Sequence, residues 1–174
     1  MITMSSKHRN YCKLAASYMR KQPWCDCVTY EMRYGRRGVV DAIGIRSNKT
    51  GRSPATAKRR IQAVEVKVSR SDLLQDLRNK KMLKYEKGSS HCVLAIHPDC
   101  FAQGATKKDM LAELTKLGLP KYWGVWLLPR RLNVNAVSPL RRATALLSIS
   151  EARSNYILIR MARSLSARVM DKNV

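Results

Sequence analysis

Apolar and polar positions along this chain change period every ten residues or so, and each change marks an element. In residues 7–22 (KHRNYCKLAASYMRKQ) Tyr11, Leu14, Ala15 and Tyr18 fall at helical spacing on one face. Pro23 follows and stops that helix. Residues 26–34 (DCVTYEMRY) alternate as a strand does, Gly35-Arg-Arg-Gly38 reads as a hairpin turn, and residues 39–45 (VVDAIGI) form a second strand. The pattern is then lost over residues 46–60, a polar stretch rich in Gly, Pro, Ser and Thr that reads as a loop. Residues 61–68 (IQAVEVKV) are a third strand whose β-branched residues suit burial. Ser71 is the expected N-cap of a helix over 72–87, which Gly88 ends. A nearly continuous apolar run, residues 91–96 (HCVLAI), makes a fourth strand. A helix is expected over 107–117, stopped near Gly118 and Pro120, and a fifth strand over 122–128. From 139 onward the pattern is mostly helical with a basic tail, and no internal repeat is evident.

The order α-β-β-β-α-β-α-β and then α predicts an α/β fold: a mixed sheet with helices on both faces. A chain of 174 residues, 45% of them hydrophobic, suits a single domain over 1–174. The expected core spans about 7–128, and 129–174 is a basic helical extension.

Charge adds what the pattern cannot. The chain carries 34 Lys and Arg against 12 Asp and Glu, a formal net charge of +22. Such a molecule is drawn to polyanions, nucleic acid first and an anionic membrane surface second. No apolar stretch approaches the roughly 20 residues that span a bilayer, so no membrane insertion is expected. The opening MITMSSKHRNYCK lacks the apolar segment of a signal peptide. The expectation is a cytoplasmic protein of a bacterial or phage-infected cell, with Cys12, Cys25, Cys27, Cys92 and Cys100 as reduced thiols. Cys25 and Cys27 with His91, His97, Cys92 and Cys100 do not make a strong zinc spacing, and small core thiols are the expected role.

Scarce acids then become informative, because they stand inside apolar strands. Glu31 lies on the first strand, Asp41 on the second, and Glu65 and Lys67 on the third. Residues two apart on a strand share a face, so Glu65 and Lys67 project together and a neighbouring strand can bring Asp41 beside them. Charges in such places are costly unless paired or bound to metal. Two carboxylates plus the Val66 carbonyl offer hard oxygen ligands for Mg²⁺, with Mn²⁺ able to substitute. The lysine can orient a water or stabilise developing charge. The plainer alternative is an exposed surface ion pair for Glu65 and Lys67, a turn-side acceptor role for Asp41 and an outward strand position for Glu31.

Asp41, a loop, and then Glu65-Val66-Lys67 resemble the core motif of the PD-(D/E)XK nuclease superfamily, with Val40 standing where a proline is usual. Glu31 matches an extra upstream acid found in several members. The run Lys81-Met-Leu-Lys-Tyr85 followed by Ser90-His91-Cys-Val-Leu-Ala-Ile is similar to a helix-to-strand segment of small MmcB-like DNA-repair nucleases, and more distantly of Holliday-junction resolvases. The resemblance implies a restriction-endonuclease-like αβββαβ core, with Lys81 and Tyr85, and more weakly Gln75, supporting the site. Many members pair to cut two strands, so a homodimer is among its implications. Some related nucleases carry an iron–sulfur cluster that needs late cysteines; none follows Cys100.

The basic residues complete the expectation. Arg46, Lys49, Arg52, Lys58, Arg59 and Arg60 lie in the segment joining the strands of Asp41 and Glu65, where they can grip a phosphate backbone. Arg130, Arg131, Arg141 and Arg142 form a second set within a stretch, 114–150, that holds no acid. No base-reading motif is evident, so recognition of DNA structure is expected over recognition of sequence. Trp123 and Trp126 read as structural. The expected activity is Mg²⁺- or Mn²⁺-dependent endonucleolytic cleavage of DNA in repair, recombination or phage-type replication. The alternatives are a non-catalytic nucleic-acid-binding protein of the same fold and a phage-type protein that modulates a host enzyme.

Overall fold

A computed structural model describes residues 6–22, 25, 27–33, 38–46, 60–146 and 151–170, without side chains at 46, 81, 82, 151–154 and 165–170. Its centre is one six-stranded mixed sheet in chain order: β1 (Cys27–Arg33), β2 (Val39–Arg46), β3 (Arg60–Lys67), β4 (His91–Ile96), β5 (Gly124–Leu127) and β6 (Ser138–Arg141). β1, β2 and β3 form an antiparallel meander; β3, β4 and β5 run parallel; β6 returns antiparallel. The α/β class and the five expected strands are therefore present. Helices α1 (Ser6–Lys21), α2 (Arg70–Arg78), α3 (Lys107–Lys116) and α4 (Glu151–Met170) flank the sheet. Among the described residues no helix is long and apolar enough to cross a membrane.

Two cores follow from the alternation of the strands. Ile61 and Ala63 of β3, with Ile43, Leu94 and Ile96, pack with Leu73, Leu77, Met110, Leu114, Ile157 and Met161. Val64 and Val66, with Ala42, Val93 and Ala95, pack under Tyr11, Cys12, Ala15 and Met19 of α1. The face of α1 read from its spacing is the one that docks. It lies close because Gly44 has no side chain: a Cβ there would run into Cys25 Sγ and Met19 Cε. The Tyr11 hydroxyl, 2.9 Å from the Pro129 and Arg130 carbonyls, ties the helix to the segment that follows β5.

Three expectations need correction. Residues 72–87 are not one helix. α2 ends at Arg78, Lys80 turns left-handed (φ 51°), and a 3₁₀ helix takes over from Lys81 to Gly88. Neither Gly nor Pro announces that break in the sequence. The N-cap is Ser69 rather than Ser71; its hydroxyl accepts from the Asp72 amide, and the helix starts two residues earlier. The segment after 139 is not simply helical, because Ser138–Arg141 pairs with β5 before α4 begins. Pro139 is acceptable there since, among the described residues, β6 is an edge strand with β5 alone beside it. Pro23, the turn residues Gly35, Arg36 and Arg37, and most of the 46–60 segment lie outside the described residues.

Candidate active site

β2 and β3 pair from Arg46 opposite Arg60 as far as Ala42 opposite Val64, and there the ladder stops. Beyond that point β2 continues beside β1 and β3 beside β4. The sheet thus forks, and Asp41 is the first β2 residue inside the fork. Its Oδ2 accepts a 2.7 Å hydrogen bond from the Val66 amide across the gap. Glu65 and Lys67 flank Val66 on the same strand face, so the fork gathers Asp41, Glu65, Val66 and Lys67 as the spacing predicted. All three charged side chains are buried.

Lys67 is the hub of an ion network. Its Nζ lies 3.0 Å from Glu65 Oε1, 2.6 Å from Asp76 Oδ2 and 3.1 Å from Asp72 Oδ2. Asp72 and Asp76 stand four apart on α2, hence on one helix face. Burial alone would push the Lys67 ammonium down, but Glu65, Asp76 and Asp72 outweigh it and hold the amine above the usual lysine range. The group stays charged at neutral pH and cannot serve as a base there. Glu65 goes the other way: burial and the neighbouring Asp41 carboxylate raise it to about 7, against the pull of Lys67 and Lys84. Its Oε2 is buried with no hydrogen-bond partner among the described residues.

α1 closes the fork from the other face. His8 Nε2 lies 3.0 Å from the Val66 carbonyl oxygen and 3.5 Å from Asp41 Oδ2. Burial lowers the His8 pKa, yet the Asp41 carboxylate and the Val66 carbonyl more than compensate, and the net shift is upward. One turn on, Cys12 Sγ sits 3.6 Å from His8 Nδ1. Donor atoms of His8, Cys12 and Asp41 all lie within 4.8 Å of one another, close enough to share a metal ion. Burial, then the surrounding carboxylates, raise the Cys12 thiol, which stays protonated and is a weak ligand. The useful donors are the His8 nitrogen, the Asp41 oxygen and the Val66 carbonyl, with Glu65 beside them.

Glu31 stands opposite Asp41 across the β1–β2 ladder, at the one step where no pair forms between Tyr30–Ala42 and Met32–Val40. Its φ of 50° is left-handed, a strained setting for a non-glycine residue. Arg9 Nε holds its Oε2 at 3.2 Å. Tyr85 is fully buried and donates to the Val39 carbonyl at 2.7 Å, close enough to Glu65 and Asp41 for both to raise its pKa. Lys84 lies over the Tyr85 ring, 4.7 Å from its centroid. Gln75 is exposed on α2. The Lys81 side chain lies outside the described residues.

Spacing missed His8, Cys12, Asp72 and Asp76. His8 and Cys12 at i and i+4 beside the buried Tyr11, and two acids four apart just after Glu-x-Lys, were the available signals.

Of the basic residues, Arg60 and Arg142 line a cavity at the other end of β3. Exposed Arg130 bonds Asp99 at 2.8 Å, and Arg131 is exposed. Arg141 is spent internally, donating to the Trp123 and Pro120 carbonyls at 2.7 and 3.0 Å. Lys49, Arg52, Lys58, Arg59 and the Arg46 side chain lie outside the described residues. Cys92 and Cys100 are buried, and burial pushes both thiols up to about 12, in keeping with core packing.

A comparison of the chain with known protein families and with curated proteins finds no match.

Proposed function

We propose that this protein is a metal-dependent nuclease of the PD-(D/E)XK type that hydrolyses phosphodiester bonds in DNA. The observation that carries the reading is the fork itself. Asp41, Glu65, the Val66 carbonyl and Lys67 converge where two strands part, and five of the chain's twelve acids (Glu31, Asp41, Glu65, Asp72, Asp76) lie on or beside it. In a chain of charge +22 such a cluster is out of keeping with the surface and suits a divalent cation. When bound, Mg²⁺ or Mn²⁺ supplies an acidified water and a counter-charge for phosphate. Asp41 and the Val66 carbonyl hold the ion, and Glu65 completes the set once its proton leaves. The His8 imidazole tilts the preference toward Mn²⁺, a softer ion than Mg²⁺. Lys67 keeps its proton and faces the charge that develops on phosphate. Glu31 and Tyr85 act as supports, one opposite Asp41 and the other beneath it.

One observation favours a second reading. Lys67 is already satisfied by three carboxylates, and His8 covers Asp41 and Val66, so the fork is closed by its own side chains. A nucleic-acid-binding protein of this fold that does not cut would keep that arrangement.

The discriminating experiment uses supercoiled and single-stranded circular DNA with EDTA, Mg²⁺ or Mn²⁺, and a Lys67→Ala control. The nuclease reading expects cleavage of circles that needs the metal, is stronger with Mn²⁺, and is lost in Lys67→Ala. Retention of the DNA without cleavage under either metal, on circles and on branched or ended substrates, selects the second reading.

A further inference from the structure

A cavity of about 560 Å³ opens at the opposite end of β3 from the fork. That volume is in the range of ligand sites. Gln62 of β3 and His91 of β4 sit side by side in its wall, paired in the parallel ladder. Gln62 is only 2% exposed, and that remaining exposure faces the cavity it lines. An amide in the cavity wall can both donate to and accept from whatever enters. The His91 Nδ1 is engaged by the Ser90 hydroxyl at 3.0 Å, which leaves Nε2 for the cavity. Burial and the nearby Arg60 lower the His91 pKa to about 4, so the ring is neutral; the Ser90 hydroxyl proton goes to the Ile61 carbonyl, so Nδ1 donates to Ser90 and Nε2 is an acceptor. Tyr18 and Trp126 form an aromatic wall, rings edge-on with centroids 4.9 Å apart. Arg60 and the exposed Arg142 bring two guanidinium groups to the same cavity.

We infer that this cavity receives one nucleotide unit of a nucleic-acid strand, its base against Gln62, His91 and the aromatic wall and its phosphate on Arg60 and Arg142. An amide beside a neutral imidazole matches the donor and acceptor edge of a base, aromatic rings match its face, and guanidinium groups match phosphate. Tyr18 follows His8 by ten residues on α1, so cavity and fork lie about 15 Å apart along that helix. At the duplex rise of 3.4 Å this is roughly four to five nucleotides. The inference deepens the nucleic-acid reading but does not use the fork.

The test is calorimetric titration in EDTA with the four deoxynucleoside 5′-monophosphates, with inorganic phosphate, and with a single-stranded dodecamer. At least one mononucleotide should bind ten times more tightly than phosphate. Gln62→Leu and Arg142→Gln should each weaken it about tenfold with unchanged melting temperature, and Asp41→Asn should leave it unchanged. The same two variants should weaken the dodecamer if the strand is the source, whereas a response confined to the mononucleotide supports the site with free nucleotide as its ligand. Mononucleotide binding no better than phosphate, or affinity indifferent to both variants, overturns the inference. Because no metal is present, failure of cleavage would sink the nuclease reading and leave this one standing.

Discussion

Glu65 shows how a single buried carboxylate can work against the fold that holds it. Burial and Asp41 raise its pKa from 4.5 to about 7, so between these values the folded state binds more protons than the unfolded chain. Stability from this group is therefore full below about pH 4.5 and is lost as pH rises through 7. Glu65→Gln keeps the shape and removes the charge. In EDTA at pH 8 the variant should be more stable than the parent by about 1–3 kcal/mol, and at pH 4.5 the gain should vanish. Thermal melts at the two pH values check this; an equal shift at both would refute it. If the fork holds the ion as proposed, adding Mn²⁺ should shrink or reverse the difference at pH 8, because the parent offers one carboxylate more than the variant. At this scale much of the site was legible: acids and a lysine inside apolar strands are expensive, and that expense marked Asp41, Glu65 and Lys67. His8 was not legible, because its partners come from strands more than thirty residues away and a lone histidine on an amphipathic helix carries no sign of them.

Among the elements, the join between α2 and the 3₁₀ helix decides how Lys67 and Tyr85 are both served. α2 must stop after Asp76 has reached Lys67, and the chain must then turn so that Tyr85 enters the core under Val39. Lys80 makes that turn in a left-handed conformation that favours glycine. Lys80→Gly should stabilise the protein by roughly 0.5–1 kcal/mol, and Lys80→Val should destabilise it by at least as much. Urea midpoints should move in opposite directions with an unchanged slope. The strands were readable because their β-branched and alternating residues follow the period of two. The helix break was not, because Asn79, Lys80 and Lys81 are individually compatible with a continuing helix and the reason to stop is tertiary. β6 escaped for a related reason: its four residues include Pro139 and are too few to show a period, and they hold their place by pairing with β5.

For the whole molecule, the charge of +22 sets how any polyanion is met. If six or more phosphates are contacted, affinity for duplex DNA should fall about a thousandfold between 50 and 200 mM salt. Fluorescence anisotropy across that range measures the slope, and a shallow dependence would remove the phosphate backbone from the account. The acids gathered at the fork are a local repulsive spot within an attractive surface, so an arriving phosphate would meet opposition there until a cation is bound. The cation, in turn, sits in a field that the rest of the protein makes unfavourable until a polyanion screens it. Ion and strand should therefore recruit each other, each raising the other's affinity by the same factor, as reciprocity between two sites requires. On the proposed function, such a protein would hold its metal loosely when alone and firmly when on a strand, confining cleavage to the moment of contact.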